Sequence, residues 1–138
     1  MTGRPDWAAV EAPSLADIDA LARSAFAALP EAFRARCPDL VIAVEDLADD
    51  VTLDELGIED PFDLTGLYDG VDLLSKSAED SGGPPDRVVL YRRAILDEWA
   101  DRGNEPLGAL VAHVLVHEIA HHFGLDDDAI AAIDDWTR

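Results

Sequence analysis

The stretch PLGALVAHVLVHEIAHHFG, residues 106–124, is apolar at Leu107, Leu110, Val111, Val114, Leu115, Val116, Ile119 and Phe123. Those positions fall on nearly every face of an α-helix, and a helix apolar all round belongs in the middle of a domain. The rest of the chain has to pack around it. The same stretch also holds all four histidines of the sequence and a glutamate. Burying them costs free energy unless they are paired or bound to something. The polar cluster therefore has a purpose.

Helix geometry sorts its members. His117 and His121 stand four apart, about 40° around the axis and about 6 Å along it, so both imidazoles can reach one ion. Glu118 is turned about 100° from His117 but only about 60° from His121, and can lean over the same point without ligating. This HExxH pattern sets two neutral imidazoles on zinc with a glutamate beside the bound water. His113 lies roughly 12 Å along the axis from His121, and His122 points about 140° away from His117. Both read as structural, or as partners standing behind the ligands.

Zinc needs a third protein ligand. Gly124 can take the left-handed conformation that ends a helix and turns the chain back. Asp127, ten positions after His117, then completes HExxHxxGxxD, with Asp126 and Asp128 as its neighbours. The same aspartate run before AIAAIDDW also suits the capping of a following helix, a role that fits Asp126. HExxH alone would arise by chance in roughly one such sequence in a hundred. With the Gly and Asp the figure is roughly one in ten thousand, which sets accident aside.

Around this helix the chain reads as one domain, residues 14–138, behind a loosely ordered arm, 1–13, that contains Gly3, Pro5 and Pro13. Ser14 caps a helix whose apolar positions run from Leu15 to Leu29, and PEAFRAR adds a short helical turn. LVIAVED reads as a buried strand, TLDELGI as a short helix stopping near Gly57, and TGLYDG as a short strand or edge segment. SKSAEDSGGPPD is a loop. RVVLY is a strand, AILDEWAD a helix, and RGNEP a break that lets Asn104 or Glu105 cap the next helix with Pro106 in its first turn. A last helix is expected over 127–136. The class is α+β, a small mixed sheet packed against helices.

Composition limits the partners. Thirty acidic residues against ten basic ones give a net charge of −20. Such a field repels phosphate, which argues against nucleic acid and anionic membranes and favours neutral or basic ligands. The single cysteine, Cys37, excludes an intrachain disulfide. No run suits a signal peptide or a bilayer span, so the expected location is cytoplasmic.

The sequence resembles the small bacterial zincin-like metallopeptidases with an aspartate as third ligand, sometimes described as minimal zincins. The resemblance runs from about residue 15 to 136. It rests on LPEAFR, VIAVED, LTGLYDG, PPDRVVLYRRAI and above all VLVHEIAHHFGLDDD, in the family's order. It implies a small sheet packed on helices with the HExxH helix beneath it. It also implies one zinc ion on His117, His121 and Asp127, with Glu118 as the catalytic glutamate. His113 falls where the family would place an aliphatic residue, and no role is carried onto it. Larger HExxHxxGxxH/D peptidases have a methionine turn below the metal, and the only methionine here is Met1.

The expected activity is hydrolysis of a peptide or protein substrate, possibly basic, by a zinc-activated water with Glu118 as general base. The substrate is expected along an exposed strand edge, with RVVLY as the candidate. Tyr68, Tyr91 and His122 are conceivable oxyanion partners, though each suits packing as well. The competing class is a catalytically weak or inactive zinc-stabilised binding or regulatory domain, since so short a chain has little material for a second lobe.

Overall fold

The computed structural model describes residues 5–70 and 86–123, with only the backbone for the last two. The expected loop over 75–86, apart from Asp86, and the expected helix over 127–136 lie outside them. In chain order the elements are α1 (Leu15–Ala27), α2 (Glu31–Arg34), β1 (Val41–Glu45) and α3 (Asp50–Leu56). A 3₁₀ turn (Pro61–Asp63), β2 (Gly66–Asp69), β3 (Arg87–Tyr91), α4 (Arg92–Arg102) and α5 (Leu107–Phe123) follow.

Local chemistry sets the ends of these elements. The Ser14 hydroxyl accepts from the Asp17 N–H at 3.1 Å, while the Asp17 carboxylate accepts from the Ser14 N–H at 2.8 Å. This reciprocal box satisfies two of the donors that a helix start leaves unpaired. Asp49 caps α3 through the Thr52 N–H, and Gly57, at φ 69°, ends it in the left-handed region that glycine enters without strain. At the start of α5 neither Asn104 nor Glu105 is the cap. The Pro106 carbonyl accepts from the N–H groups of Ala109 and Leu110, so Pro106 stands one residue ahead of the helix. Glu105 instead offers its carbonyl to the Trp99 indole at 2.7 Å, which ties the α4–α5 turn together.

The three strands form one mixed sheet in the order β1-β3-β2. β3 runs parallel to β1 and antiparallel to β2. Alternation divides the side chains between two cores. Ile42, Val88 and Leu90 meet Ile18 and Ala22 of α1 and Leu110, Val111, Val114 and Leu115 of α5 on one face. Val89 and Tyr91 meet Ala48, Leu53 and Ala94 on the other. The helix apolar all round is thus buried between the sheet and α1, as its sequence requires.

Two expectations are corrected by strand order. LVIAVED is not a buried strand: β1 borders the sheet, Ile42 is its buried residue, and Val41 is 41% exposed. RVVLY is not an exposed edge. β3 is central, hydrogen-bonded on both sides, with Val88 to Tyr91 all buried. A strand covered on both faces reads as a continuous apolar run, and this one does. Among the described residues the borders are β1 and β2.

Candidate metal centre

α5 passes under β2, and the contact is close because residue 66 has no side chain. A Cβ on Gly66 would lie 2.8 Å from Cγ1 of Val114 and 3.2 Å from Cγ of Glu118. The missing methyl brings the strand backbone down onto the helix at the turn that carries the HExxH residues. The sequence offered one signal for this, a glycine inside a strand-like segment, which marks a bulge or a close backbone approach.

Register shows what β2 turns towards the helix. The Tyr91 N–H donates to the Thr65 carbonyl at 2.9 Å, so Thr65 pairs with β3. Successive residues of an antiparallel strand alternate, so the backbone groups of Gly66 and Tyr68 face away from β3. The Tyr68 N–H takes the Glu118 carboxylate as its acceptor.

Glu118 is 8% exposed, one of two buried acidic residues among those described. Its Oε1 lies 3.2 Å from Nδ1 of His121. Burial pushes its pKa up. His121, His117 and the Tyr68 N–H act in the opposite direction without cancelling that rise. A carboxyl held in this way is a readier proton acceptor than an exposed glutamate.

The imidazoles of His117 and His121 have centroids 4.9 Å apart with their planes at 66°. The i, i+4 spacing therefore brings the two rings together as the sequence implies. With Nδ1 of His121 turned to a carboxylate, Nε2 is left with the lone pair for another partner. Two neighbouring imidazoles backed by a carboxylate fit zinc. Among the described residues no three His, Cys, Asp or Glu side chains gather as a metal site. Gly124, Asp126, Asp127 and Asp128 lie outside the described residues, as does the His122 side chain.

A cavity of about 170 Å³ opens alongside these groups. His117, Glu118, Val114 and His113 line it from α5, Glu98 and Arg102 from α4, and Thr65 from the residue before β2. His113 is therefore a wall of the same cavity, a position that helix geometry alone had set aside. Tyr91 belongs to the core on the sheet's far face and is removed from the oxyanion candidates. Tyr68 stays beside Glu118 through its backbone.

An HExxH helix lying under the border of a small mixed sheet defines the zincin-like class. The chain belongs to the zincin-like metallopeptidase family, which it matches over residues 37–137. Membership implies a zinc cofactor and peptidase chemistry in general terms. No curated protein matches the chain. Among the described residues no helix is long and apolar enough to cross a membrane.

Proposed function

We propose that this chain hydrolyses peptide bonds at one zinc ion held by His117, His121 and Asp127, with Glu118 as general base. The observation that carries the reading is Glu118 itself, a buried carboxyl with a raised pKa between the β2 border and two metal-competent imidazoles. Zinc, when bound, makes a water acidic enough to attack at neutral pH and polarises the scissile carbonyl. Glu118 receives the proton of the attacking water on a carboxylate oxygen and delivers it to the leaving nitrogen. The Tyr68 N–H keeps that carboxylate at the strand border throughout. His121 is held in one tautomer by Glu118, and Gly66 lets strand and helix approach closely enough for this.

β3, hydrogen-bonded on both sides, offers no free edge to a substrate backbone. A second reading, a zinc-stabilised binding domain with Glu118 only orienting His121, draws on the same 3.2 Å contact. One experiment separates the two. Bound metal is measured on the purified chain and on Glu118→Gln, and both are screened against a peptide library. Equimolar zinc in both, with turnover lost in the variant, is the expected result. Zinc in both with no turnover that depends on Glu118 would establish the binding domain instead.

A further inference from the structure

The described residues contain two buried acids, Asp86 and Glu118, and Tyr68 stands between them. Its backbone N–H takes the Glu118 carboxylate as acceptor. Its hydroxyl lies at the far end of β2, where the chain reaches Gly70. The register that pairs Asp69 with Arg87 sets Gly70 opposite Asp86 one step further on. A Cβ on Gly70 would stand 3.0 Å from Oη of Tyr68 and 2.8 Å from Cγ of Asp86, and would collide with that carboxylate. The Asp86 carboxylate therefore fills the space of a side chain at position 70, beside the phenol.

Alternation explains the meeting. Positions 66, 68 and 70 share one face of β2, and Asp86 shares with Val88 and Leu90 the matching face of β3. This is the face that packs on α5. Both glycines of GLYDG are clearances on it, Gly66 for the helix and Gly70 for the carboxylate. Asp86 is itself anchored, because its carbonyl accepts from the Val41 N–H of β1 at 2.9 Å. Its charge is turned inward: burial first, and the Asp86 carboxylate second, push the Cys37 thiol up to about 11.

We infer that Asp86 is a positioning residue for Glu118, acting through Tyr68: the buried carboxylate fixes the end of β2 and with it the N–H that holds the general base. The inference rests on the peptidase reading, in which Glu118 carries the proton. β2 has four residues and is held by β3 on one side only. Without a stop at its end the strand can drift over α5, and the Glu118 carboxylate drifts with its donor. Filling space alone does not call for an acid here. An apolar side chain would do so without the cost of burying a carboxylate.

The test reads position separately from turnover. The amide proton of residue 68 is followed by NMR at a fixed pH in the zinc-loaded full chain. Asp86→Ala removes the carboxylate, and Tyr68→Phe removes only the hydroxyl beside it. Glu118→Gln, with an uncharged acceptor, supplies the position of a weakened bond. Both variants are expected to move the proton towards that position, while the amide of Val89 in the central strand stays in place. On a peptide that the wild type cleaves, kcat should fall by about tenfold with KM unchanged, against about 10²-fold for a full 1 Å misplacement.

A folded Asp86→Ala protein in which the residue-68 proton and kcat both match wild type would overturn the assignment, whatever its Tm. If that variant does not fold, the same two readings on Tyr68→Phe decide the matter. Movement of the proton without any turnover by the wild type keeps the positioning and removes the peptidase reading. Turnover that Asp86→Ala leaves unchanged does the reverse.

Discussion

The two borders of the sheet are treated in opposite ways. On β1 the outward carbonyl of Ile42 is met by Arg23 of α1 at 3.5 Å, and Glu45 pairs with Arg87 at 3.3 Å across the surface. The part-buried Arg23 contact is a charged device of the kind that blunts an edge against unwanted pairing, while Glu45–Arg87 is an exposed pair across to β3. On β2 the backbone lies on a buried helix, and the outward N–H of Tyr68 meets the carboxylate of Glu118. One border is closed with inexpensive surface charge; the other holds a buried acid whose ionisation the fold opposes. The difference sets the buried acid at β2 and none at β1.

The comparison can be broken most severely at Glu118. Replacing it with Gln keeps the shape of the site and removes the proton carrier. Turnover of a cleaved peptide should fall by about 10²–10⁴-fold with zinc content unchanged, as read by kcat/KM and metal analysis. Next is Gly66→Ala. Its methyl would press on Val114 and Glu118, with a cost of about 1–3 kcal/mol in urea unfolding and a large loss of kcat. An alanine at Val41, on the exposed β1 border, should change stability by no more than about 0.5 kcal/mol.

The stability of the metal-free protein should also depend on pH through Glu118. Its folded pKa is raised by burial, so the folded state holds the proton more tightly than the unfolded chain does. The penalty is absent below the ordinary glutamate range, grows as pH rises, and is complete above the raised folded value. Glu118→Gln should therefore raise the Tm of the metal-free protein near pH 8, and the gain should disappear near pH 4. A gain independent of pH would mean that ionisation is not its source. β1 should again prove tolerant. Glu45→Gln removes a part-exposed pair and should cost under about 1 kcal/mol, with kcat/KM unchanged.

Much of this architecture is legible in the residues. The α+β class, the Ser14 cap, the stop at Gly57 and the buried α5 follow from periodicity and capping chemistry, which act over a few neighbours. The HExxH pair is legible for the same reason, because i, i+4 spacing fixes two rings without help from the fold. Strand order is not local. Nothing within five residues states how many partners a strand will have, although the unbroken apolar run of Val88 to Tyr91 hinted at two. The role of Gly66 was hidden differently. What it accommodates belongs to Val114 and Glu118, far along the chain, and only packing brings them together. His113 gave no sign of its position for a similar reason, since its cavity is completed by α4 and by Thr65.

The central position of β3 also bears on how the chain is made. It is the last strand among the described residues and the one to which both others bond. During synthesis β1 and β2 leave the ribosome before their partner β3 exists. Pairings that wait on distant segments expose unpaired backbone and apolar surface to other chains. A net charge of −20 gives the waiting segments mutual repulsion at that stage. The α5 helix follows within a few residues of α4, so the histidines are delivered just as the sheet closes. The site thus draws on α5, the last described element of the chain, and on a border that exists only once β3 has joined β2.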